Sequence, residues 1–111
     1  MYTMNVSTRM IETRVAGVTF ENRQAVVGLL TEGERVSLIR DPDNPFDPNA
    51  VKVVRWDHQQ IGFLDRELAK ILAPWMDRNG RFYKASVSRL IGGCHDDSSL
   101  GVYIKFYLPE E

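Results

Sequence analysis

R-D-P-D-N-P-F-D-P-N-A, residues Arg40 to Ala50, carries a proline at every third position: Pro42, Pro45 and Pro48. Each ring holds φ near about −65° and pushes the residue before it, Asp41, Asn44 and Asp47, toward extended geometry. Asn and Asp side chains also bond their own neighbouring backbone, so the segment reads as a rigid bracket between two strands. What it displays is one aromatic ring, Phe46, beside one carboxylate, Asp47. The same residue types would serve a turn that is stiff and nothing more, because functional and merely rigid loops share this chemistry.

Outward from the bracket, Val36 and Leu38 alternate with Ser37 and Ile39 on one side, and Ala50 to Trp56 is strongly β-prone on the other. The turn Asp57-His58-Gln59-Gln60 makes a hairpin with Ile61 to Leu64. Asp65 is a good N-cap for a helix whose Leu68, Ile71, Leu72, Trp75 and Met76 recur at helical spacing and are expected to face the core. Pro74 should kink that helix or start a second turn, and Asn79-Gly80 should stop it in left-handed backbone. A last hairpin pairs Tyr83 to Ile91 with Gly101 to Leu108. Alternation in its second arm puts Val102, Ile104, Phe106 and Leu108 on the buried face and Tyr103, Lys105 and Tyr107 on the other.

Toward the N-terminus, Met10 to Phe20 reads as a first strand bent at Gly17. Arg23 to Leu30 reads as a short helix through Ala25, Val26, Leu29 and Leu30, and Glu32-Gly33-Glu34 as a turn. Short strands joined by hairpins around one main helix give a mainly β fold with α. The expected form is a small OB-like or SH3-like barrel of five or six strands, because closure removes exposed edges.

The 111 residues suit one domain, here 11–111 behind a flexible leader of residues 1–10, and 43% hydrophobic content fills one core. Charged residues make up 26% yet net only −1, so no global basic field gathers a polyanion and any nucleic-acid contact must be local. One cysteine, Cys94, excludes an internal disulfide, and no apolar run approaches the roughly 20 residues of a membrane helix. The N-terminal residues lack the order of a signal peptide, so a cytoplasmic location is expected, nucleoid-associated in a bacterium.

Taken as an EF-hand loop from Asp41, the bracket has Asp43 and Asp47 at liganding positions. Phe46 then stands where glycine is needed, and Lys52 where a bidentate Glu is needed, which excludes calcium. Cys94 and His95 are adjacent, with no partners at ligand spacing, which argues against zinc; no cofactor or metal is expected. Ser, His and Asp are scattered without a strand-to-helix nucleophile turn, so catalysis is not expected. Tyr103, Lys105 and Tyr107 have the make-up of a stacking face for single strands, although an exposed strand near a terminus carries such residues by default.

Three stretches, L-I-R-D-P-D-N-P-F-D-P-N-A-V-K-V (Leu38 to Val53), I-G-F-L-D-R-E-L-A (Ile61 to Ala69) and V-A-G-V-T-F-E-N-R-Q (Val15 to Gln24), resemble the HIRAN domain. That family occurs in helicase-like DNA repair remodellers and as free-standing small proteins. The likeness covers about residues 12 to 108 and rests on Asn-Pro-aromatic-Asp followed at fixed distance by Ile-Gly-x-Leu. It implies the same barrel, with a pocket for the 3′ end of single-stranded DNA. By that resemblance Phe46 stacks a base, Asp47 meets the free 3′-hydroxyl, Arg23 and Arg66 contact phosphates, and Asn44 supports the bracket. In the best-known animal members the Arg matching Arg23 is followed by a Tyr that helps sandwich the terminal bases; here Gln24 stands in that place of the site. Phe63 could supply the second plane.

The residues themselves point the same way. Arg23, Phe46, Asp47, Phe63 and Arg66 offer two planes, two cations and one hydroxyl acceptor, the parts needed to grip a strand terminus. The expected function is a non-catalytic DNA-binding module that recognises the 3′-hydroxyl end of single-stranded DNA in repair or stalled-fork processing. With no Walker motif in the sequence, it would either recruit a separate helicase or nuclease or act as a sensor of ends. A protein-interaction barrel binding a peptide or partner enzyme in the same cleft is the second reading, and a phosphoesterase acting on strand ends the third.

Overall fold

The computed structural model describes residues 9–92 and 99–109 of the chain. Its strands are β1 (Met10–Arg14), β2 (Arg35–Arg40), β3 (Val51–Arg55), β4 (Gln60–Phe63), β5 (Phe82–Ile91) and β6 (Gly101–Tyr107). Helix α1 (Arg23–Val27) follows β1, and α2 (Arg66–Asn79) follows β4. All the pairs are antiparallel, in one sheet ordered β1-β6-β5-β2-β3-β4. The sheet curls until its outer strands meet. Ala16, just past β1, exchanges both backbone hydrogen bonds with Phe63 of β4, each 2.8 Å. That seam needs Gly62, since a Cβ there would stand 2.3 Å from the Ala16 carbonyl oxygen. Of the expected five or six strands six form, curled into a half-barrel with one main helix, and α1 is a short second helix against β4.

The core is built where period-two alternation says it should be. Val36 and Leu38 of β2, Val87 of β5, and Val102, Ile104 and Phe106 of β6 are buried, and Leu108 packs against them part-buried. Helix α2 is capped as expected, Asp65 accepting from the Glu67 and Leu68 amides. Its buried stripe is Ala69, Leu72, Ala73 and Met76, whereas Ile71 is 60% exposed. The helix is turned so that two alanines face the interior, where small side chains permit close approach, and Ile71 goes to solvent.

Four local expectations differ from the structure. The helix runs unbroken through Pro74, whose ring lies on the exposed side. Gly80 ends it with φ 129° and ψ 144°, a positive φ but extended rather than left-handed helical backbone, and its N–H bonds the Met76 carbonyl. In the segment 23–30 the buried residues are Arg23, Val27 and Leu30, while Ala25 and Leu29 are exposed. The first strand stops at Arg14, and the chain bends at Gly17, φ 71°, into the turn that carries Phe20.

Candidate nucleic-acid interface

The bracket ties itself down by its own polar side chains, as its composition demands. Asn44 Oδ1 accepts from the amides of Phe46 (2.9 Å) and Asp47 (3.1 Å), while Asn44 Nδ2 donates to Asp41 Oδ2 (3.0 Å). Asp47 Oδ1 accepts from the Asn49 amide (2.9 Å), and the Ala50 amide returns to the Asp47 carbonyl (3.0 Å). Asn44 therefore supports the loop.

A second anchor lies beneath, one that the sequence reading missed. The Arg40 guanidinium is buried. It donates to the carbonyls of Ala50 (2.8 Å) and Pro48 (3.1 Å) and forks onto both oxygens of Asp77 on α2 (2.8 and 3.2 Å). One side chain so fixes the far end of the bracket to the main helix.

The bond from Arg40 holds the Asp77 carboxyl below its ordinary value of 3.8, against the opposing effect of partial burial. A depressed carboxylate adds stability that is present above the unfolded value and is lost as pH falls through the folded one. Acid unfolding should therefore steepen below pH ~4, and Asp77→Asn should flatten that limb. Melting temperatures of the two proteins, separated near pH ~7, are expected to converge in acid; parallel profiles would show that the pair does not couple to folding.

On this base Phe46 stands 85% exposed, the most exposed large apolar side chain described. Scattered exposed apolar residues are common, but a ring held clear of the surface by a pinned loop is positioned to meet something. Beneath it lies a hollow of about 270 Å³ lined by Ala16, Asn44, Phe46, Asp47, Ala50, Phe63, Leu64 and Arg66. Arg66 is largely exposed; its Nη2 donates to the Phe46 carbonyl (3.1 Å), and its Nε stands 3.5 Å from Asp47 Oδ2. At that distance the pair is a loose ion contact, which leaves Asp47 Oδ2 open to a stronger donor.

A larger hollow of about 620 Å³ adjoins the first, sharing Asn44, Phe46 and Phe63 with it and adding Phe20, Glu21, Arg23 and Lys52 among its walls. Phe63 is half-buried and faces both hollows. Arg23 lies under it, 5.2 Å from the ring centroid, with its guanidinium committed to the Gly17 carbonyl (2.9 Å) and Glu21 (2.7 Å). The expected phosphate contact is thus mostly a buried support that holds the Phe63 ring and the Gly17 bend. Gln24 differs more. Its amide clamps Val18 and Leu100 by three hydrogen bonds of 2.8–3.0 Å, and it lines neither hollow.

Two residues of this site were not singled out from sequence. Phe20, 66% exposed, lines the larger hollow together with Phe46, and Lys52 on β3 is paired in register with Phe63. The alternation of Val51, Lys52 and Val53 at the start of β3, buried-outward-buried, could have found Lys52. Phe20 depends on the left-handed turn at Glu21 and Asn22, which no residue pattern announced. Tyr103, Lys105 and Tyr107 lie apart on the outer face of β6, with Arg89 stacked 4.1 Å over Tyr103. Among the described residues no group of three or more His, Cys, Asp and Glu could hold a metal ion, and Cys94 and His95 lie outside the described residues.

Comparison with known proteins gives a consistent picture. The family model of the HIRAN domain matches residues 8–110. The crystal structure of the HIRAN domain of human HLTF superposes with a TM-score of 0.65 at 30% identity, covering 91% of this chain and 77% of that one. A Fanconi-associated nuclease 1 homolog of Oryza sativa subsp. japonica is 49% identical over 53 residues, 45% of this chain and 6% of that protein. The helicase-like transcription factor of Mus musculus is 33% identical over 85 residues, 76% of this chain and 8% of that protein. The chain thus spans under a tenth of the length of these relatives.

Proposed function

Because this chain belongs to the HIRAN domain family, we propose that it is a DNA-binding module of DNA repair that takes the 3′-hydroxyl end of single-stranded DNA in the groove beneath Phe46. The observation that carries this reading is the pairing of a pinned carboxylate with an outward aromatic ring around one small hollow. A strand terminus differs from the rest of the strand by one free hydroxyl, and Asp47 Oδ2 is an acceptor with only a loose partner. Phe46 stacks the last base, Phe63 floors the hollow, and Phe20 supplies the plane that Gln24 does not. Arg66 and Lys52 meet the adjoining phosphates, with Arg23 holding Phe63 in place. The module is non-catalytic and serves a separate helicase or nuclease, in keeping with the nuclease and helicase-like names of its relatives.

The test is discrimination between chain ends. A carboxylate accepts a bond from a 3′-hydroxyl but repels a 3′-phosphate by like charge. Wild type is expected to prefer a 3′-hydroxyl oligonucleotide over its 3′-phosphate form and over a blunt duplex. Asp47→Asn should weaken binding to the hydroxyl end modestly and relax rejection of the phosphate, because the repulsive element is gone. Titrating both oligonucleotides against both proteins gives a double-mutant cycle in which general loss of folding cancels. A coupling within about 0.3 kcal/mol of zero would mean that Asp47 does not face the strand end. Equal affinity for all three ligands, or none, would move the reading to a protein-interaction barrel.

A further inference from the structure

We propose that the outer face of the barrel, from β4 across to β6, is a track for the single strand leading away from the end held at Phe46. The track rests on the end-binding reading above. Residues opposite one another in register share a face of the sheet. Phe63 of β4 stands opposite Lys52 of β3, Lys52 opposite Ile39 of β2, and Ile39 opposite Phe82 of β5. The next row sets Ser37 opposite Lys84, and the row beyond it joins Arg35, Ser86 and Lys105. Phe82 is 71% and Tyr107 55% exposed. Ser37, Phe82, Lys84 and Tyr107 wall a hollow of about 550 Å³, and Lys84 and Tyr107 continue into another of about 340 Å³ with Arg35 and Lys105.

These rows carry the cations Lys52, Lys84, Lys105 and Arg35 among the rings Phe63, Phe82 and Tyr107, without a carboxylate. The acids at their two ends are engaged elsewhere: Glu12 of β1, opposite Lys105, by Ser88 (2.7 Å) and Arg89 (3.6 Å), and, in the hollow they share with Lys52, Glu21 by Arg23 (2.7 Å) and Asp41 by Asn44 (3.0 Å). A chain of net charge −1 thus places four of its 14 cations on this strip. Cations between exposed rings answer the two faces of a single strand, phosphates and unpaired bases. A duplex hides its bases, and an acidic peptide would leave the rings unused. From β4 to β6 is four strand spacings, about 19 Å. That is room for roughly six nucleotides at the ~3.4 Å rise of a stacked strand.

The experiment is fluorescence anisotropy with 3′-hydroxyl DNA of two lengths, a trinucleotide and a strand of about twelve nucleotides. Wild type and Lys84→Ala/Lys105→Ala are compared across a salt series, with 3′-phosphate forms alongside. The trinucleotide reaches only the end site, where about two phosphates are neutralised and the log–log salt slope is near −1.4. The longer strand is expected to bind wild type more tightly, with a slope steeper by about 1.4 or more. The double variant should lose about twentyfold in affinity for the longer strand at ~0.1 M salt while binding the trinucleotide as wild type does. Unchanged affinity of the variant for the longer strand, with hydroxyl preference intact, overturns the track and leaves the end site standing. Absence of hydroxyl preference in wild type at both lengths overturns the end reading, and with it a track that starts there. An equal loss for a duplex of the same length overturns the assignment to a single strand.

Discussion

Phe46→Ala is expected to leave the melting temperature where it is and to weaken binding of a 3′-hydroxyl oligonucleotide by about 1–3 kcal/mol, the cost of one base stack. The fold should not feel the change, because the ring is 85% exposed and surface substitutions away from caps and cores stay within about 0.5 kcal/mol. The loop should not feel it either. The bond that fixes this position runs from the Phe46 amide to Asn44 Oδ1 and survives truncation of the ring. At about 1.4 kcal/mol per decade the loss is roughly 5- to 150-fold in Kd, easily read by anisotropy beside a thermal melt. A variant that melts early yet binds as wild type would make Phe46 a structural residue and the bracket a stiff turn.

The parts of this molecule legible in its sequence are those set by short-range rules. Prolines at every third position with Asn and Asp between them do make a self-bonded bracket, because those bonds close within a few residues. Alternation in β6 gave its buried face, and the Asp65 cap was readable three residues ahead. What escaped depends on how elements sit against each other. The apolar positions of α2 permit more than one rotation about its axis, and packing chose the one that buries Ala69 and Ala73 and exposes Ile71. The same holds within the candidate site. Gln24, next to Arg23 in the chain, points away to Val18 and Leu100, whereas Phe20 comes to the hollow through a left-handed turn. Arginine at the end of a strand or the start of a helix reads as a surface charge, so neither Arg40, last in β2, nor Arg23, first in α1, declared itself as buried.

Arg40 is where that omission has the largest consequence, and Arg40→Met is expected to destabilise the protein by about 2–4 kcal/mol. Its side chain is only 4% exposed, and methionine retains much of the aliphatic stem, so lost packing is a minor part of the effect. The major part is the charged donor itself. Pro48, which is exposed, loses its bond from the guanidinium, Ala50 loses one of two bonds and keeps that from the Asp41 amide (2.9 Å), and a hydrogen bond to a charged group is worth about 1.5–3 kcal/mol. Asp77 adds less, because its carboxylate is 45% exposed and can turn to water. For a domain of this size the loss corresponds to a fall of roughly 10–20 °C in Tm. Arg40→Lys should fall between, since a single ammonium cannot fork onto a carboxylate and two carbonyls together. Function should follow even below the melting transition. Pro48 and Ala50 flank the turn that holds Asp47, so a loosened bracket is expected to lose discrimination between 3′-hydroxyl and 3′-phosphate ends before it loses affinity for either. Urea unfolding at unchanged m value measures the stability. A loss under about 0.5 kcal/mol, the range of an ordinary surface substitution, would show that the bracket stands on its own Asn and Asp bonds without the fork beneath it.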